Sequence, residues 1–286
     1  MANNLAVKKT TVAQFLGSIN MKNYIEGVLK ERAPQFVTSL VSMANLTPGL
    51  RNCDPETLMF CGLKAASMNL PLDNNLGFAY AVPYKNHKTN PPTVEAQFQI
   101  GYRGIVNLAQ RTGQYKSMNV VNIHEGELLS WDPFTEELEL EITQDQDARA
   151  KLPIIGYASV FTLLNGFRKV SYWPTARIEA HAKRFSKAYK DGPWQSDFNA
   201  MARKTVLKEM ISKWGPMSTE MAEVAKFDQS VIKHDEGGNE YPEYVDSTNE
   251  DVKALPESNI DAEFKAAQEA KAEGLRLDAA NAKEGK

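Results

Sequence analysis

The sequence predicts an α+β protein: N-terminal helices, a small antiparallel sheet with hairpins, basic C-terminal helices and a flexible acidic tail. Three observations carry this. Apolar residues recur at helical spacing from Thr11 to Met68. From Leu76 the pattern changes to alternation, cut by clusters of turn formers. Charge then divides the chain: residues 1–225 hold 25 Lys/Arg and 21 Asp/Glu, and residues 226–286 hold 8 and 15. The expected organisation is a body, residues 1–227, and a largely flexible tail, residues 228–286, carrying a candidate partner-binding helix.

Taken in order, residues 1–10 show no periodicity. Val12, Phe15, Leu16 and Ile19 form one helical stripe, and Tyr24, Ile25, Val28 and Leu29 a second. Pro34 opens a third helix that runs to Leu46. Asp54-Pro55-Glu56 opens a fourth, with Asp as cap and Pro in the first turn. These apolar helices suit a core or a neighbouring subunit, and core is the default. Cys53 and Cys61 lie on this stretch and read as reduced core residues.

Next, Phe78–Val82 and Val94–Phe98 read as the arms of a hairpin whose tip, PYKNHKTNPP, is polar and basic through Lys85, His87 and Lys88. FQIGYRGIVNLAQRTGQY follows, from Phe98 to Tyr115: a strand end, a Gly101-x-x-Gly104 turn, and a helix that stops near Gly113. A helix N-terminus presents unpaired N–H groups and suits an anion. Tyr102 and Arg103 sit in that turn, with Arg111 and Lys116 nearby. Close packing alone also explains the two glycines, and both readings stay open. Ser117–Ile123 is a strand, and the alternating Glu and Leu/Ile of residues 136–142 mark another with one solvated face.

Asn165-Gly166 between apolar runs is the strongest short hairpin signal. Its second arm brings Arg168, Lys169, Tyr172 and Trp173. Pro174 should start a helix carrying Arg177, Lys183 and Arg184 and running on through Lys187 to Lys190. Asp191-Gly192-Pro193-Trp194 breaks it. A last helix covers Asp197–Lys213, with Arg203, Lys204 and Lys208 expected on a polar face opposite Phe198, Met201, Leu207, Met210 and Ile211. From Arg168 to Lys213 there are 11 basic and 4 acidic residues. Cations hold phosphates and interleaved aromatics such as Tyr189 and Trp194 stack on bases, so this block reads as a nucleic-acid surface. Asp235–Glu240 reads as a linker, and the acidic stretch after it as mostly structureless.

Several chemistries find no support. No apolar run is long enough to span a membrane, and the N-terminus lacks a signal-peptide core; a cytoplasmic location is expected. The four histidines show no zinc spacing. There is no nucleophile elbow and no G-x-x-x-x-G-K-[ST] loop, so ATP-driven action is not expected. A Mg2+ site on the acidic strand lacks any spacing that fixes ligands.

The run QFQIGYRGIVNLAQRTGQY resembles the signature of the RecT family of phage single-strand annealing proteins. The segment CDPETLMFCGLKAASMNLPLDNNLGFAYAVPYKN resembles that family's helix leading into an early hairpin. The stretch Trp194 to Lys208, WQSDFNAMARKTVLK, resembles its basic C-terminal helix. The likeness spans about residues 20–225 and not the acidic tail.

The resemblance implies a layout similar to the Red-beta proteins. It also implies ATP-independent binding of single-stranded DNA and pairing of complementary strands by a homo-oligomeric ring or helical filament, with an annealed duplex intermediate. A phage exonuclease and a host single-strand binding protein are the implied partners. No cofactor is required, with Mg2+ at most a modulator. The DNA-binding set is then Lys85, Gly101, Tyr102, Arg103, Gly104, Arg111, Lys116, Lys169, Arg177, Lys183, Arg184, Lys187, Lys190, Trp194, Arg203, Lys204 and Lys208. The alternatives are a metal-dependent nuclease and a sequence-specific DNA-binding regulator; no recognition-helix motif favours the latter.

Overall fold

Local signals set the first helices. The side chain of Thr11 caps α1 (Val12–Leu16) by accepting from the Gln14 N–H, and the Gln14 side chain accepts from the Thr11 N–H in return. Then come α2 (Ile19–Leu29), a 3-10 turn at Lys30–Arg32, and α3 (Ala33–Leu46) with Pro34 in its first turn. Asp54 caps α4 (Pro55–Ser67) through a 2.9 Å bond from the Glu56 N–H. The computed structural model describes residues 10–47, 49–186, 189–190, 192–216, 218–235 and 237–244.

β1 (Ala79–Asn86) and β2 (Thr93–Ile100) form an antiparallel hairpin. Its strands reach further than expected: Pro83, Tyr84 and Lys85 are paired strand, and the tip shrinks to residues 87–92. α5 (Tyr102–Arg111) follows, then β3 (Tyr115–His124). β4 (Leu128–Asp132) and β5 (Glu137–Leu140) make a small separate hairpin, and α6 (Gln146–Arg149) follows it. β6 (Ile154–Leu163) and β7 (Arg168–Pro174) turn on Asn165-Gly166 and extend β3 into the antiparallel sheet β3-β6-β7. Gly166 has φ +90°, as that tight turn requires.

α7 (Thr175–Phe185), α8 (Pro193–Ser196) and α9 (Phe198–Trp214) come next. Pro174 closes β7 and caps α7 instead of starting the helix, and α7 ends at Phe185. Lys187 lies outside the described residues. Two features were not anticipated: α10 (Thr219–Phe227), and a hairpin of β8 (Val231–His234) and β9 (Glu240–Glu243). The expected boundary at 227 therefore cuts through packed structure. Val231 and Ile232 are fully buried, Ser230 bridges to Phe98, and Lys233 donates to Glu95 at 2.8 Å. The candidate tail helix, within residues 259–282, lies outside the described residues.

The main core unites the N-terminal helices with the hairpin, α5, the sheet, α9 and α10. Leu16, Ile25, Leu58, Phe98, Ile100, Ile105, Phe161 and Phe227 all lie in it. The N-terminal helices are thus core elements, although Ile19, Val28 and Leu46 stay exposed. Cys53 and Cys61 are free and buried, and burial pushes the Cys61 thiol pKa up. Among the described residues no helix is long and apolar enough to cross a membrane.

Candidate nucleic-acid interface

The three-stranded sheet positions the cationic helices. Ile178 and Ala182 of α7, Trp194 of α8, and Ala202 and Val206 of α9 share a core with Tyr157 and Trp173 of the sheet. That burial sets α7 and α9 side by side with a cleft of about 210 Å3 at their junction. α7 turns Arg177, Lys183 and Arg184 to solvent. The Arg177 guanidinium lies 3.8 Å from the centre of the Trp173 ring, and Arg184 lies 5.1 Å from that of Phe185. Lys183 pairs weakly with Glu179 at 3.3 Å, one helical turn away. Lys190 and Arg203 are exposed, as are Arg168 and Lys116 on the sheet.

α9 departs from expectation. Lys204 is buried, with 8% of its surface exposed, and does not stand on an open polar face. The physical reason is its spacing: Lys204 lies three residues from both Met201 and Leu207, inside the apolar stripe. Arg203 points elsewhere, to solvent. Lys208 is half-buried and ion-paired with Asp228, which is fully buried. The Asp228 Oδ1 also accepts from the Ile100 N–H at 2.8 Å. Burial alone would raise the Asp228 pKa, but Lys208 and Lys204 hold it below the ordinary carboxylate value. One carboxylate therefore ties α9 to the end of β2, beside Gly101.

Gly101 and Gly104 answer to packing. A Cβ on Gly101 would lie 2.0 Å from the Gly77 carbonyl oxygen, and one on Gly104 would lie 2.1 Å from that of Phe78. Segment 77–78 crosses the start of α5 so closely that only glycine fits at both positions. Arg103 is drawn into the same contact: it donates to the Leu76 carbonyl at 3.0 Å and stacks on Phe78. Tyr102 remains exposed. Arg111 donates to the Met68 carbonyl at 2.7 Å and reaches Glu220, so its fork is largely engaged.

Two other expectations change. Trp194 is buried against Phe198, so its rings are not offered to bases. Lys169 is held by Glu136 and sits over the Trp214 ring, so it braces the β4–β5 hairpin against the sheet. Lys85 is exposed, but it lies six rungs along the hairpin from the Ala79–Ile100 pair, roughly 20 Å from the α5 turn at ~3.4 Å per residue. Lys204 and Lys208 thus line the cleft and Arg177 and Arg184 act on His181 in its wall, while Lys183 stands exposed on α7 and Lys85 and Lys116 lie outside it.

The sequence reading missed three contributors: Asp228, His181 and Phe185. Phe185 is the half-exposed aromatic at the cleft, in the role expected of Trp194. His181 lines the cleft, and burial lowers its pKa, with Lys208, Arg177 and Arg184 acting in the same direction against Glu209. A signal for Asp228 was present in the apolar Val231-Ile232 pair just beyond it. Among the described residues no three His, Cys, Asp or Glu side chains cluster to hold a metal ion.

The chain is similar to known proteins. The RecT family matches residues 34–251, a span that continues past the basic helices and through the β8–β9 hairpin. The chain is 44% identical over 240 residues to the uncharacterized protein YqaK of Bacillus subtilis strain 168, covering 84% of this chain and 76% of that one. It is 27% identical over 227 residues to the protein RecT of Escherichia coli K12, covering 78% and 82% respectively. The chain belongs to the RecT family, the single-strand annealing proteins of DNA recombination.

Proposed function

We propose that this protein binds single-stranded DNA along the α7–α9 face and pairs complementary strands without nucleotide hydrolysis, as a homo-oligomeric ring or filament. The observation that carries the reading is that Arg177, Lys183 and Arg184 stand exposed on α7 while Lys204 and Lys208 of α9 line the cleft beside it, on two helices fixed by a shared core. Annealing makes no covalent bond, so it calls for no catalytic group and no enzyme activity. It needs cations that neutralise two repelling backbones while base edges stay free to pair. A cationic face on rigid helices does this, because phosphate contacts hold a strand without reading its sequence.

The reading extends to its setting. It places the protein in the bacterial cytoplasm, beside an exonuclease that exposes single strands and a host protein that coats them, with Mg2+ as a modulator of backbone repulsion. Two complementary fluorescent oligonucleotides, mixed with the protein and no nucleotide, test it. The expected result is pairing well above the spontaneous rate and unchanged by ATP. A strict requirement for hydrolysable ATP contradicts the reading. Mg2+-dependent strand cleavage would favour a nuclease, and preference for one duplex sequence a regulator.

A further inference from the structure

The cleft at the α7–α9 junction contains an ammonium with no bonded partner among the described residues. Lys204 lines it, more than nine-tenths buried, with its ammonium in no hydrogen bond or ion pair among the described residues. Its neighbours are already matched. Lys208 takes one oxygen of Asp228, and the Ile100 N–H takes the other. Glu209, the carboxylate on the cleft wall, is paired with Lys213. His181, the remaining titratable group there, is held toward its neutral form by burial. Lys204 feels the charge of Asp228 but makes no hydrogen bond or ion pair with it.

Burial of its stem lowers the Lys204 pKa and the charge of Asp228 opposes this. The surrounding walls supply what an anion needs. Thr205, Ser212 and Ser186 bring hydroxyls, and Gln229 an amide. The cleft, of about 210 Å3, has room for a tetrahedral phosphate with its waters.

We propose that this cleft is a phosphate pocket that takes a single phosphodiester of the bound strand onto Lys204, with Phe185 at its mouth against the adjoining base. The inference rests on the annealing reading and adds a fixed register point to it. The other cations of α7 lie on an open surface and hold the strand loosely. Lys204 accepts one backbone group in a defined place.

Salt titrations of binding to a short oligonucleotide test this, comparing the wild type with Lys204→Met. Met keeps the stem and removes the unpaired charge, so the variant should fold with an equal or higher melting temperature. Its affinity should fall about ten- to hundredfold, and its salt slope should flatten by about 0.7. With an uncharged methylphosphonate oligonucleotide, the two proteins should bind alike. Equal affinity and slope for the two proteins on ordinary DNA overturns the pocket while leaving the annealing reading intact. A wild type that binds no single strand overturns both. Inorganic phosphate separates the other source: if it raises the melting temperature of the wild type alone while both proteins bind DNA equally, the pocket serves free phosphate and the proposal fails. A readout in the wild type avoids reliance on the variant's folding. Trp194 lines the pocket, so the emission change on DNA binding should include a part that Trp194→Phe removes. Its absence counts against the pocket.

Discussion

At the residue scale, Gly101 and Glu127 show how far side-chain identity reaches. Gly101→Ala drives a Cβ into the Gly77 carbonyl, a backbone atom that cannot rotate away. Such overpacking costs about 2–3 kcal/mol, a fall in melting temperature of roughly 5–10 °C for a body of this size. Thermal unfolding checks it, and an unchanged midpoint would show that segment 77–78 yields. Glu127 makes a second case. It is fully buried, accepts from the His124 N–H at 2.8 Å and is clasped by Arg149. The Arg149 bond, with the backbone N–H groups of His124 and Thr143, holds its pKa down to about 2 against the cost of burial. The stabilisation is full above the ordinary value of about 4.5 and is lost as pH falls toward 2. A shift of that size corresponds to about 3 kcal/mol. Melting temperature followed from pH 5 to 2 should drop more steeply in the wild type than in Glu127→Gln. Parallel curves would remove Glu127 from the acid response.

The elements were legible where a local signal decides them. Asp54-Pro55 starts α4 and Asn165-Gly166 turns β6 into β7, because capping and turn geometry act within a few residues. The side of a helix was less legible. Lys204 was assigned to solvent by its chemistry, whereas its spacing from Met201 and Leu207 buries it, and tertiary packing decides between the two. The β8–β9 hairpin was missed because its strands are four residues each and gain their stability from distant partners, Glu95, Lys64 and Phe98. A truncation pair tests its role. Removing residues 231–286 strips the buried Val231 and Ile232 from the main core and should leave the body unfolded or poorly folded by circular dichroism. Removing residues 245–286 deletes 6 Lys/Arg and 10 Asp/Glu and should leave single-strand affinity equal or higher, since the lost segment competes with phosphate for cations. Loss of affinity in the shorter truncation, with the fold intact, would assign the tail a direct part in binding.

For the whole molecule, the net charge of −3 conceals its function, and distribution reveals it. The cations of the proposed DNA-binding face stand on two helices held by one sheet, and an acidic sequence beyond them offsets the total. That division was readable from composition. The cleft was not, because it exists only where α7, α9 and the residues around Asp228 meet, three segments that are separate in the chain. The central claim is that the α7–α9 face holds phosphates and does not read bases. The most direct measurement is the salt dependence of single-strand affinity for the wild type and for a protein carrying Lys183→Gln, Arg184→Gln and Lys190→Gln, on two oligonucleotides of unrelated sequence. These side chains are exposed, so folding should be unaffected. The account predicts a slope flatter by up to about 2, at roughly 0.7 per contact, and the same for both sequences. An unchanged slope, or a loss confined to one sequence, would contradict it.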